Sequence, residues 1–80
     1  MKEYFIVVDS NYAEGMTAYA FWKEDEARKS VNEDVETVVK DLTEQGYEPT
    51  ILRHDWDSVE VYAADRNIYY EWNIIISEIQ

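Results

Sequence analysis

Eighty residues with eighteen acids, seven bases and one histidine carry a formal charge of −11. That surplus excludes direct nucleic-acid binding, because phosphate contacts need a cationic surface that releases counterions. The absence of cysteine excludes a disulfide framework and a thiolate metal site, while 46% apolar residues with three Trp, seven Tyr and two Phe exclude a disordered chain and suffice for one core over residues 1–80.

Residues 2–9 read as a strand with Tyr4, Ile6 and Val8 on one side and Phe5 and Val7 on the other, as expected where both faces are covered in the middle of a sheet. Residues 10–15 have turn composition and end in Gly15. The chain returns over 16–22 as a second strand, Met16, Ala18, Ala20 and Trp22 on one face and Thr17, Tyr19 and Phe21 on the other. The small alanines would let a helix approach closely.

That helix is expected over 24–45, where Ala27, Val31, Val35, Val38 and Leu42 recur at the spacing of one buried stripe. Glu24, Asp25 and Glu26 suit the positive end of its dipole, and Gly46 stands where a left-handed cap belongs. Ser30 with Glu33 also fits a capping box, so a break near Ser30 is an alternative start. Glu24 with Arg28, Asp25 with Lys29 and Glu36 with Lys40 are spaced as i,i+4 ion pairs.

Three strands follow. Residues 47–55 form one, with Pro49 marking an edge or a segment outside the ladder; Asp55, Trp56, Asp57 and Ser58 make a turn. Residues 59–64 form the next, and Asp65, Arg66 and Asn67 a short hairpin loop. In the last, 68–79, Ile68, Tyr70, Trp72, Ile74 and Ile76 make an apolar side, while Tyr69, Glu71, Asn73, Ile75 and Ser77 make a mixed one. The order β-β-α-β-β-β with short connections predicts an α+β fold, an antiparallel sheet of four or five strands with one helix on one face. Tyr19, Tyr62, Tyr69, Glu71 and Asn73 are expected on the opposite face.

Chemistry is sparse. One histidine, no cysteine, no glycine-rich phosphate loop and no nucleophile-elbow serine point away from an enzyme and from a cofactor. His54, Asp55, Asp57 and Glu60 are metal-ligand types, but neighbouring residues on a strand end point to opposite sides, so a polar turn is the simpler reading and no metal is assigned. Asp9 resembles the acidic residue of Cas2-type nucleases in its place at a strand end, but their ferredoxin-like fold has two helices and this chain has room for one.

The surface says more. Glu26, Glu33, Glu36 and Glu44 project from the helix opposite its apolar stripe, interrupted by Lys29 and Lys40, and Glu14, Asp55, Asp57 and Asp65 add acidic loops. Tyr12, Tyr19, Trp56, Tyr62, Tyr69 and Trp72 cannot all be buried in so small a core, and Tyr and Trp are the residue types that anchor protein interfaces. The expected partner-binding set is therefore Glu26, Glu33, Glu36, Glu44, Asp55, Trp56, Asp57, Tyr62, Tyr69 and Glu71, and the expected partner is a basic protein.

In size, charge, lack of catalytic motifs and tyrosine-with-acid surface, the chain resembles the small acidic phage proteins that disable bacterial defence, the anti-CRISPR and anti-restriction inhibitors. The resemblance implies a nucleic-acid mimic that occupies the basic groove of an effector such as a Cas nuclease or a Cascade-type subunit. It also resembles HicB-type antitoxins, whose hairpin-then-helix opening is matched by Tyr4 to Trp22 followed by Glu24, Asp25, Glu26 and Ala27, although the proline-bearing segment between them and a DNA-binding appendage are missing. A third expectation is a small module that self-associates, as a homodimer, through strand 68–79. No run suits a membrane span and the start, Met1-Lys2-Glu3-Tyr4-Phe5, is unlike a signal peptide, so the expected location is the cytoplasm of a bacterial host cell.

Overall fold

The computed structural model describes residues 2–11, 15–63 and 67–79. They form β1 (Lys2–Asn11), β2 (Gly15–Phe21), α1 (Glu24–Glu44), β3 (Thr50–Asp55), β4 (Ser58–Tyr62) and β5 (Tyr69–Ile79). The five strands make one antiparallel sheet in the order β2-β1-β5-β4-β3, and α1 lies on one of its faces. The fold is α+β in the order read from the sequence. Glu14, Tyr12, Asp65 and Arg66, named above as loop residues, lie outside the described residues.

Local chemistry explains the helix ends. The three acids of the first turn face the unpaired amides, and the Asp25 carboxylate accepts the Glu26 N–H at 3.0 Å. At the other end Gly46 takes φ 91°, with Gly46 N–H bonded to the Thr43 carbonyl and Tyr47 N–H to the Leu42 carbonyl. This is a left-handed cap that satisfies carbonyls the helix would otherwise leave open. Helical residues run through Ser30 without interruption, so the alternative start there is not used. Arg28 pairs with Glu24 at 3.2 Å, whereas Lys29 turns forward to Glu33 at 3.9 Å rather than back to Asp25. Lys40 is outside ion-pair distance of Glu36.

The core is one sided. Ala27, Val31, Val35 and Leu42 of α1 meet Val7, Val59, Val61, Trp72 and Ile74 of the sheet, closed at one end by Ala63 and Ile68. Phe5, Phe21, Val38, Val39 and Tyr70 pack around it. Register fixes which residues share this face: Val7 stands opposite Ile74 and Tyr19, Trp72 opposite Val59 and Asp9, and Phe5 opposite Phe21 and Ile76. Strands alternate, so the other face carries Tyr4, Ile6, Val8, Ala18, Ala20, Leu52, Glu60, Tyr62, Tyr69, Glu71, Asn73 and Ile75.

One expectation is corrected here. Tyr19 faces the helix side, and the alanines of β2 face away from it; Thr17, Tyr19 and Phe21 take the covered side because Phe21 pairs with Phe5 next to the core. Strand β5 is the middle of the sheet, with β1 on one flank and β4 on the other. β1 runs along it from Tyr70 to Ile79, whereas β4 covers only Tyr69 to Asn73. Among the described residues no helix is long and apolar enough to cross a membrane.

Candidate functional site

The ten residues expected to bind a partner fall on two opposite sides of the sheet. Glu26, Glu33, Glu36 and Glu44 are exposed on α1, spread over roughly 27 Å of its axis at 1.5 Å per residue. The helix holds eight acids against three bases. Among the described residues no lysine or arginine comes within ion-pair distance of Glu26, Glu36 or Glu44; only Glu33 is engaged, by Lys29.

The β3–β4 turn adjoins the start of this helix. The Arg28 guanidinium lies 4.8 Å from the centre of the Trp56 ring, and Arg53 donates to the Asn32 side chain at 3.2 Å. Asp55 accepts the Trp56 N–H at 2.8 Å, and the Asp57 carbonyl accepts Ile74 N–H at 2.8 Å. Asp55, Trp56 and Asp57 therefore shape a turn that clips the sheet to the helix, and the Asp55 carboxylate is partly used in doing so.

Tyr62, Tyr69 and Glu71 are brought together on the open face, out of reach of the helix carboxylates. Tyr62 stands opposite Tyr69 and Glu60 opposite Glu71 on neighbouring strands. Two carboxylates so placed repel, and the Tyr69 hydroxyl is set between them: it donates to Glu60 and lies 2.8 Å from Glu71. The His54 ring is hydrogen-bonded through Nε2 to the other Glu60 oxygen, and the Asn73 amide donates to Glu71 at 2.6 Å. The Tyr69 and His54 hydrogen bonds hold the Glu60 carboxyl below the ordinary carboxylate range. Burial, then the two carboxylates that accept its proton, pushes the Tyr69 phenol well above the ordinary tyrosine range.

Sequence reading passed over His54 and Glu60 as a polar turn and did not join them to Tyr69. A signal was present: Glu60 with Glu71, and Tyr62 with Tyr69, are equidistant from the centre of the loop between them, which is the register a short hairpin imposes. His54 and Glu60 thus bond one another, and Asp55 bonds its own turn. Among the described residues no group of three or more His, Asp or Glu is placed to hold a metal ion.

A third acidic place lies between helix and sheet. A cleft of about 190 Å³ is lined by Asp9, Thr17, Asp34, Thr37, Tyr70 and Trp72 among others. The Thr17 hydroxyl donates to Asp9, and Trp72 lies beside Asp34 on the cleft wall. Burial first, and the Asp9 charge second, raise the Asp34 carboxyl above its ordinary value. Asp9 already has a donor within the fold, and the cleft reads as a polar rim of the core. Compared with protein-family models, with curated proteins and with solved structures, the chain matches none.

Proposed function

We propose that the protein is a non-enzymatic inhibitor whose acidic helix face occupies the basic nucleic-acid-binding groove of a bacterial defence effector, in the manner of an anti-CRISPR protein acting on a Cas nuclease or a Cascade-type subunit. The observation that carries this reading is the outward side of α1, where Glu26, Glu36 and Glu44 stand on a capped helix with no described cation in ion-pair reach. Carboxylates fixed on a helix need no backbone ordering when they dock, and their summed field speeds encounter with a cationic surface. Tyr62, Tyr69 and Glu71 belong to the far side of the sheet and are left out of this epitope.

The test mixes the protein with candidate effectors and measures their DNA binding at two salt concentrations. Loss of effector–DNA complex, relieved by the triple change Glu33→Lys, Glu36→Lys and Glu44→Lys, is the expected result. Unchanged DNA binding across effector types counts against the inhibitor, and full potency of the triple variant counts against the helix face. A HicB-like antitoxin is the second reading, favoured by the β1–β2 hairpin that runs into α1 through Trp22 and Lys23 alone. It requires a gene for a basic toxin beside this one, and a locus among phage structural genes speaks against it.

A further inference from the structure

The outermost strands of the sheet are β2 and β3, and they are built differently. An edge strand offers unpaired N–H and C=O groups to any other strand, and soluble proteins blunt such edges with charge, proline or a bulge. The β3 edge has all three devices: Pro49 stands just before it, Arg53, His54 and Asp55 lie on it, and its pairing with β4 shifts register between Arg53 and Asp55. The β2 edge has none of them.

Gly15–Phe21 reads Gly-Met-Thr-Ala-Tyr-Ala-Phe, the one strand of the five without a charged residue in a chain of net charge −11. Its pairing with β1 is regular along its whole length. The three most exposed large apolar side chains among the described residues are also here: Met16 at 72%, Trp22 at 60% and Tyr19 at 53%. Beside them a shallow groove of about 280 Å³ is lined by Tyr4, Ala20, Phe21, Trp22 and Ile79. Exposure of this kind on a regular, uncharged edge marks a surface meant to be covered.

We propose that β2 pairs antiparallel with β2 of a second copy, joining two sheets into one of ten strands about a two-fold axis through Ala18. Antiparallel partners must match in which side their N–H and C=O groups face, so a two-fold pairing of a strand with itself has to be centred on a residue. Ala18 is the midpoint of Gly15–Phe21. In that register Gly15 meets Phe21 of the other copy, Met16 meets Ala20, Thr17 meets Tyr19 and Ala18 meets itself. Each large side chain stands against a small one, including a glycine covered by an aromatic ring. Such self-complementarity is what an isologous interface requires.

Charge selects the same occupant. Two copies of −11 repel over most of their surfaces, but the β2 strands can meet with no carboxylate between them, and Lys2, over the Trp22 ring at 5.2 Å, places a positive charge at the strand's end. The axis runs perpendicular to the sheet, so both helices lie on one face. Each helix lies closest to β1 and also meets β2 and β5, one strand in from the seam, which sets the helices apart by about 14 Å at ~4.8 Å per strand. They do not collide, and their acidic sides form two parallel ridges.

Sedimentation equilibrium of the whole chain up to about 100 μM tests this. The unaltered protein is expected to be a dimer. Ala18→Lys and Ala18→Glu, at an exposed position and checked for folding by circular dichroism, each set like charges against one another across the axis. Each is expected to raise the dissociation constant about tenfold or more, and an equimolar mixture of the two to recover the dimer. Ile75→Asp, in the middle of the open face, is expected to leave association unchanged. A monomeric unaltered protein overturns the proposal; so does a dimer that survives either Ala18 variant alone, a mixture that stays monomeric, or a dimer broken only by Ile75→Asp.

Discussion

The two faces of the sheet are made from the same strands and differ in what they are for. The covered face holds nearly every fully buried side chain, and between strand and helix it is almost wholly aliphatic except for Trp72. The open face holds polar pairs, three tyrosines and partly exposed isoleucine and valine, with no element packed on it among the described residues. Neighbouring residues of β5 show the contrast: Ile74 is buried and Ile75 is half exposed. Stability is thus concentrated on one side, and the other is free to carry a surface chosen for something else.

The sharpest way to break this comparison is at Trp72, which fills the middle of the covered face. Trp72→Ala is expected to cost about 3–5 kcal/mol, a large part of the roughly 4–12 kcal/mol that a domain of this length has in total. Urea titration followed by circular dichroism should show the midpoint moved far toward plain buffer. A modest shift instead would mean that the aliphatic residues alone hold the face. Next comes Ile74→Thr, expected to cost about 2–3 kcal/mol because it removes apolar volume and buries a hydroxyl.

Tyr69→Phe probes the open face through its strongest polar contact. Removing the hydroxyl leaves Glu60 and Glu71 facing one another, at an expected cost of about 1 kcal/mol near neutrality. Its pH dependence has a definite sign. The Glu60 carboxyl is held below its ordinary value of 4.5, chiefly by Tyr69, so its contribution is present above that value and is lost as pH falls through the lowered one. The gap between the variant and the parent protein should therefore be full at pH 7 and shrink by about pH 3, read from urea midpoints. An equal gap at both pH values would separate Glu60 from the hydroxyl. The smallest effect is expected for Ile75→Thr, within about 0.5 kcal/mol, and a loss matching that of Ile74→Thr would show that the open face is not open.

Periodicity made much of the fold legible before any coordinates. The α1 stripe from Ala27 to Leu42 and the β5 side from Tyr70 to Ile76 each contrast strongly with their opposite faces, and both were placed correctly. β2 was not, because Met16, Ala18, Ala20 and Trp22 are as apolar as Thr17, Tyr19 and Phe21. With no contrast between the two sides, strand parity is decided by the register of the hairpin, which local pattern does not contain. The residues expected to bind a partner divide between two faces for a related reason. Glu26, Glu33, Glu36 and Glu44 share a helix face by spacing alone, while the grouping of Tyr62, Tyr69 and Glu71 with His54 and Glu60 depends on three strands coming into line.

Strand order has a consequence for how the chain reaches this state. Within the sheet, the β1–β2 hairpin and the β3–β4 hairpin are joined only by β5, which lies between them and follows both in sequence. While a ribosome is still short of Tyr69, the emerging chain holds two half-sheets with no strand to join them and a helix whose stripe lacks Trp72 and Ile74. The decisive contacts span most of the chain, so assembly waits on the last strand and is slow for so small a protein. In that interval the uncharged β2 segment is available to whatever strand comes first.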